Sequence, residues 1–560
     1  MLLAVALAGP ALLLHALFSR GRAIELPLYG AAAWVVLFWW LRLVPFPLTT
    51  SAAAVGIASL AGGLWLLRRG PRGAKKKLFL FRIDGQSIGV WSVGAGVALV
   101  LALSVDVPPG VDGAMHTAVA RVLADAQGHP TGFRPLWPLD LFGPYPVGQP
   151  TLTALVALSG LSWRAAGLFG HALCYALVLI AFAAALSRWT AKASGGWIGV
   201  AAVLAARNPL HLWTWGGAPN ALGMAFAVAA VGAGHDALRE RDVRSAAGCG
   251  LFAAASLLTH GVAVVALGWA LPPLIVAALL LEPRLRPGVP ALLLAGAVAL
   301  VLCAPWLAGL RDVLGPVERQ WARETMRASV ELGVLRLVPQ TLHDVPLIAG
   351  LLCAAVLLAK DFRRALFPLA LAGALLLLIA NARGSWLPYS ALLYPERIAM
   401  LMLFPLALLA AAALEFRPVP WPALAAAVAV QAGFLHFKTV RAGREHALAA
   451  ADDLRALALL DAAVPKDCWV LNNYGDAGQW IPALLARPIT FPQVNVLFFE
   501  EVGGRVHPCA AYRGGRRPYG ADDVAAICPG PSCVEAGRAG EAAFYRIIDP
   551  ALTVEVRGLH

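Results

Sequence analysis

The sequence predicts a polytopic all-α membrane domain of about 14 spanning helices over residues 1–436, followed by a small extracytoplasmic α/β domain over 437–560. Three observations carry this. Of 560 residues 59% are hydrophobic and 14% charged, where soluble domains carry about 25% charged residues. The apolar residues fall in long stretches, many free of charge, and roughly 20 such residues cross a hydrocarbon core of about 30 Å. Basic residues collect in the short loops between those stretches.

Spans are predicted at 1–18, 27–46, 50–67, 88–105, 165–186, 195–212, 220–237, 245–258, 262–281, 289–308, 345–359, 364–382, 397–415 and 420–436. The first has the length of a signal peptide, but no basic region leads it and further spans follow at once. It reads as a retained helix. The net charge of +13 raises the question of nucleic acid, and the positions of the charges answer it. Arg20 and Arg22, Arg68 to Arg82, Arg188 and Lys192, Arg239 to Arg244, Arg284 and Arg286, Lys360 to Arg364, and Arg417 all lie in short loops. That is the signature of cytoplasmic loops, some touching anionic lipid. For every basic loop to share one side, Pro150 to Trp163 must stay out of the count. It is short and starts with Pro, and it reads as an interfacial or re-entrant helix. Residues 106–149 and everything past 437 then fall outside the cytoplasm.

Four cysteines, Cys174, Cys249, Cys303 and Cys353, lie in spans and read as small apolar residues. Cys468, Cys509, Cys528 and Cys533 lie in the tail, where an even number outside the cytoplasm predicts disulfides. A zinc site is the rival, with only His507 nearby in sequence. In the tail a helix is predicted over Arg441 to Ala463, with strands at Cys468 to Asn472, Pro488 to Phe491, Tyr545 to Ile548 and Leu552 to Val556. Between the first two strands, NNYGDAGQW makes a polar turn opening a helix near Gln479. It is either a plain turn or a cradle for an anionic ligand.

Ionisable residues concentrate in the first large outer loop, DVPPGVDGAMHTAVARVLADAQGHP through FGPYPVGQP. Asp106 ends a span; Asp112 and His116 stand four apart, on one helical face. As the N-cap of a helix over Gly113 to Ala126, Asp112 would need no further role. Residues 311–344 form a second outer loop with Arg319, Arg323, Glu324, Arg327, Glu331 and Arg336, read as a surface-lying amphipathic helix. Trp213, Trp215 and Trp386 fit an interfacial belt or sugar stacking.

The acidic residue heading the outer loop, the nearby His, and the Tyr-Pro segment before a short apolar helix resemble GT-C membrane glycosyltransferases. TWGGAPNALG and LLTHG at outer turns, and YPERIAM before the thirteenth span, extend that resemblance nearly end to end through short motifs. The WWDYG signature of oligosaccharyltransferases is absent. The resemblance implies an inverting transfer from a polyprenyl-phosphate sugar at the outer face of the cytoplasmic membrane, to an acceptor the sequence does not name. It implies Asp112 as the catalytic carboxylate with Asp106 second and His116 assisting, and Arg397 and His260 toward the donor phosphate. Tyr145, Trp215, Asn220 and Tyr394 are expected to line the substrate. No organic cofactor is implied, and a divalent metal is left open. Two other classes stay in view: a lipid or polysaccharide transporter, against which the near absence of mid-span carboxylates counts, and a non-catalytic envelope-assembly protein.

Overall fold

The computed structural model describes residues 2–18, 23–43, 46–69, 84–137, 145–190, 194–310, 334–384, 387, 393–416, 421–492, 504–516, 521–528 and 530–556. Each of the fourteen apolar stretches is helical there. The helices up to the first large loop are α1 (Leu2–Phe18), α2 (Leu26–Leu41), α3 (Leu48–Arg69) and α4 (Gly85–Leu103). The loop itself holds α5 (Gly110–Asp125) and α6 (Gly148–Leu158), the latter the short, non-spanning helix expected at Pro150. There follow α7 (Trp163–Trp189), α8 (Ser194–Ala205), α9 (Ala218–Glu240), α10 (Val243–His260), α11 (Val262–Leu281) and α12 (Val289–Leu310). After residues 311–333, which lie outside the described residues with most of the expected amphipathic helix, come α13 (Val334–Leu342), α14 (Asp344–Lys360) and α15 (Phe362–Gly384). The membrane domain ends with α16 (Pro395–Leu401), α17 (Leu403–Ala413) and α18 (Trp421–His446).

Among the described residues nine helices are long and apolar enough to cross a membrane, ten if α13 and α14, bent by 110°, count as one span. The protein is a multi-pass membrane protein. Helix starts follow local chemistry: Asp84 accepts from the Ser87 N–H, Ser162 from Ala165, and Asp242 from Arg244 and Ser245, each satisfying donors a helix otherwise leaves open. Small residues let helices approach. A Cβ on Gly9 of α1 would lie 2.0 Å from the Gly56 carbonyl oxygen of α3, the close backbone contact on which membrane helix pairs rely.

Within the helices, the structure departs from the sequence reading at three points. Arg188, counted among the cytoplasmic loop charges, is buried: it holds Glu25 bidentately, both contacts at 2.6 Å, and also pairs with Asp236. This triad ties α7 to the turn before α2 and to α9, and removing one partner would strand a buried charge. Second, α8 stops at Ala205, and Leu210–Trp215 is a separate 3-10 turn rather than the end of a span. Third, the helix expected over Arg441 to Ala463 is two. The last apolar helix, α18, continues to His446, and after a break α19 runs Ala451–Ala463.

The tail is α/β. Its strands are β1 (Trp469–Asn472), β2 (Arg505–Val506), β3 (Pro508–Arg513), β4 (Cys533–Ala539), β5 (Ala542–Ile547) and β6 (Val554–Glu555). They form a four-stranded sheet ordered β1-β3-β5-β4, with β1 and β3 parallel, and a β2-β6 pair. The expected strand at Pro488 to Phe491 is only an isolated bridge, Val470 to Ile489; β2, β3 and β4 were not foreseen. The polar turn is a closed structural knot. Asp476 accepts from the Gly478 and Gly514 N–H groups and from Asn473, and burial pushes its pKa up to about 7 against those bonds. The Gly478 and Gly514 N–H groups and the Asn473 amide are thus taken by Asp476 rather than left for an external anion.

Cys468 pairs with Cys509 and Cys528 with Cys533, their Cα atoms 5.7 and 5.4 Å apart, inside the usual bridging range. Alkylation of unreduced, denatured protein should therefore modify Cys174, Cys249, Cys303 and Cys353 alone. Modification of all eight cysteines would contradict both bridges and, with them, an oxidising location for the tail.

Candidate active site

The site is assembled by two loops that lock into one another. Gly110, at φ +73°, opens α5, and a Cβ there would sit 2.5 Å from the Trp215 carbonyl. Gly216, at φ +87°, faces back, and its Cβ would come within 2.3 Å of the Gly113 nitrogen and 3.0 Å of the Asp112 Cβ. Only glycine accepts both the left-handed backbone and the contact. The VPPGVDG and TWGGAPN segments are thereby pressed together, and Asp112 is placed beside Trp215.

Asp112 does not cap its helix. The N-cap is Pro109, without a side-chain bond, and Asp112 sits inside the first turn. Arg397 of α16 has its guanidinium carbon 4.2 Å from the centre of the Trp215 ring, a cation–π contact. Arg397 lies within electrostatic reach of Asp112, Glu396, Tyr394 and Tyr175. Among the described residues its guanidinium forms no salt bridge, not even with the adjacent Glu396. A half-buried cation held on an aromatic face, with no salt bridge among the described residues, is suited to an incoming phosphate.

Behind Asp112 runs a line of buried polar groups. The charge of Asp112 and, more strongly, burial raise the Tyr145 pKa above the ordinary phenol value. The Tyr145 hydroxyl lies 3.4 Å from His116 Nδ1. Burial, followed by the fields of His171 and His260, keeps His116 well below the usual histidine pKa. So shifted, it is suited to hold Tyr145 by hydrogen bonding rather than to bring positive charge to a phosphate. His260 ends α10 where Gly223 of α9 comes within 2.7 Å of its carbonyl, measured to a Cβ built on that glycine. Asn220 lies one turn before Gly223 and is buried; among the described residues its Nδ2 has no hydrogen-bond partner, nor has His260 Nδ1. Tyr394 precedes α16 as its N-terminal flank.

Three residues of this cluster escaped the sequence reading. His171 on α7 is fully buried, with Nδ1 2.8 Å from the Gly167 carbonyl and its ring centre 6.3 Å from that of His116. Gln149, at the start of α6, is 3.3 Å from His171 and donates to Thr153 at 2.8 Å. Tyr175 packs edge-on against Trp213, ring centres 5.9 Å apart. The signal was a histidine and a tyrosine inside an otherwise apolar span, HALCY, which purely apolar packing does not explain. Conversely, Asp106 stands apart. Its carboxylate pairs with Arg164 at 2.6 Å, about half exposed, and no described interaction joins it to Asp112. Trp213 is buried in packing, and Trp386 lies outside the described residues. Among the described residues no three His, Cys, Asp or Glu are placed to hold a metal ion.

No known protein-family profile matches the sequence, and no curated protein does. Solved structures do match. The chain superposes on ArnT from Cupriavidus metallidurans bound to undecaprenyl phosphate with a TM-score of 0.56 and 16% identity, covering 84% of this chain and 99% of that one. The apo form of the same ArnT gives 0.54 at 17% identity, covering 82% and 98%. The likeness takes in most of the chain, which has the fold of ArnT.

Proposed function

We propose that the protein is a membrane glycosyltransferase of GT-C type, moving a sugar from a polyprenyl-phosphate donor to an acceptor at the outer face of the cytoplasmic membrane. The observation that carries this is the grouping of Asp112, Trp215 and Arg397, in which the cation lies on the Trp215 ring and within electrostatic reach of the loop carboxylate. The donor phosphate would sit on Arg397, with its polyprenyl chain in lipid. Asp112 would accept the proton of the acceptor as its oxygen or nitrogen attacks the anomeric carbon. The bond from that carbon to the phosphate oxygen breaks, the phosphate stays on the lipid, and the configuration inverts. Trp215 offers the sugar a face, while Tyr145, held by His116, and the buried amide of Asn220 offer hydrogen bonds. Residues 106–164 and the disulfide-bonded tail would share the outer side, the tail helix at Ile481–Leu485 bracing α5 through the Arg121 to Ala483 carbonyl bond of 2.9 Å. That ArnT was crystallised with undecaprenyl phosphate supports the donor class.

The test uses purified full-length protein in nanodiscs. Undecaprenyl phosphate should bind and raise the unfolding temperature, whereas undecaprenol, lacking the phosphate, should not. Isotope carried on a pool of polyprenyl-phosphate sugars should then appear in a non-prenyl envelope product, with and without EDTA to settle any need for a divalent cation. Equal effects of the phosphate and the alcohol would sink the donor assignment.

A further inference from the structure

The last long helix, Trp421–His446, carries a stripe that glycosyl transfer does not use. Val430, Phe434 and Phe437 are exposed apolar residues spaced four and three apart, so they share one face. That face continues at once into Lys438, Arg441, Arg444 and Glu445. Here an open groove of about 810 Å³ is lined by Phe437, Val440, Arg441, Arg444 and Glu445, with Arg516 reaching in from the tail.

The groove is built and remains cationic. Arg444 Nε donates to the Ser104 carbonyl at 2.9 Å, and Arg516 Nη1 donates to the Arg444 and Ala447 carbonyls at 2.6 Å. Carbonyl bonds fix a guanidinium in place without neutralising it. Of the three arginines only Arg441 meets a carboxylate among the described residues, Glu445 at 2.9 Å. Lys438 adds a further charge beside the groove, its Nζ 4.3 Å above the Phe434 ring. Gly443, on the opposite side of the helix, packs against Trp213, 3.2 Å from a Cβ built there. The groove is thus separated from the Asp112 loop by the thickness of one helix.

An exposed apolar stripe that turns cationic along one helix face has the polarity of an anionic amphiphile. We propose that this groove is a binding site for the phosphate headgroup of an anionic membrane lipid on the tail's side of the bilayer, its chain lying along Val430, Phe434 and Phe437. A soluble phosphate would meet the guanidiniums and leave that stripe unused. The site stands whether or not the protein transfers sugar.

Native mass spectrometry of the full chain, released from phosphatidylcholine nanodiscs doped with phosphatidylglycerol, reads the preference directly. The wild type should retain phosphatidylglycerol over phosphatidylcholine. The double variant Arg441→Gln/Arg444→Gln should lose that preference by about tenfold or more, given the attraction of each basic residue to anionic lipid. Glu445→Gln, removing the one carboxylate that lines the groove, should strengthen it by about fivefold, and this variant decides the matter if the double variant does not fold. Unchanged retention in the variants that fold overturns the site. Displacement by free glycerol phosphate at concentrations matching the lipid would make it a soluble-phosphate site and overturn the lipid assignment.

Discussion

Asp112→Asn is expected to lower sugar transfer by about 100-fold or more, the scale of losing a positioned general base, while donor binding and folding stay near wild type. The substitution is nearly isosteric, and Asp112 caps no helix, so no capping bond is lost with the charge. The interlocked Gly110 and Gly216 backbones, not the Asp112 side chain, hold the loop against Trp215. Transfer should therefore fall in kcat, with the donor KM little changed, because a base acts in the transition state and not in the ground-state complex. Asp106→Asn serves as the comparison. Its carboxylate is tied to Arg164 on the surface, and its loss should leave kcat within a few-fold. Near-normal turnover in Asp112→Asn with an inactive Asp106→Asn would hand the role to Asp106. Activity in both would remove the loop carboxylates from the mechanism.

Much of the architecture could be read in advance because a bilayer imposes its own length and polarity on each span. Apolar length located the long helices of the membrane domain, but not α5, α13 or the break between α16 and α17. The failures share a cause, which is that the deciding contact is distant in sequence. Arg188 looks like any loop arginine until Glu25 and Asp236 are brought to it from two other elements. β3 and β4 are strands because each pairs with β5, and the PCAAYR and CVEAGRA segments lack the clean alternation that would announce them alone. The helix break near Ala447 is marked by no proline or glycine at that point.

For the site, the sequence supplied the residue types and the fold supplied their neighbours. Asp112, His116, Tyr145, Trp215 and Arg397 come together from four separate segments, and only the motif resemblance placed them in one list beforehand. Helical spacing did put Asp112 and His116 on one face, yet the partner of His116 is Tyr145, 29 residues later. His171 and Gln149 were passed over because neither has a charged partner near it in sequence. Their significance lies in a contact with one another across α6 and α7, which spacing along either helix does not reveal.

Arg397 gives the complementary result to Asp112. Arg397→Gln should weaken undecaprenyl phosphate binding by roughly 30-fold or more, the effect of deleting one member of a close charge pair at about 2 kcal/mol or above. Gln keeps much of the chain's length and can lie against Trp215, so the stacking platform persists while the charge is gone. Arg397→Lys restores charge but offers a point cation in place of a planar fork and stacks less well on the ring. It should recover part of the binding. The two sites then separate in one assay: loss at Asp112 appears in kcat with binding intact, and loss at Arg397 appears first in donor affinity. Salt extends the test, since binding that depends on Arg397 should weaken as ionic strength rises, less steeply than for an exposed ion pair because the cation is half-buried. If Arg397→Gln binds undecaprenyl phosphate as the wild type does, the phosphate lies elsewhere. The cation on Trp215 would then be a packing element, and the grouping of Asp112 and Arg397 would lose its catalytic meaning.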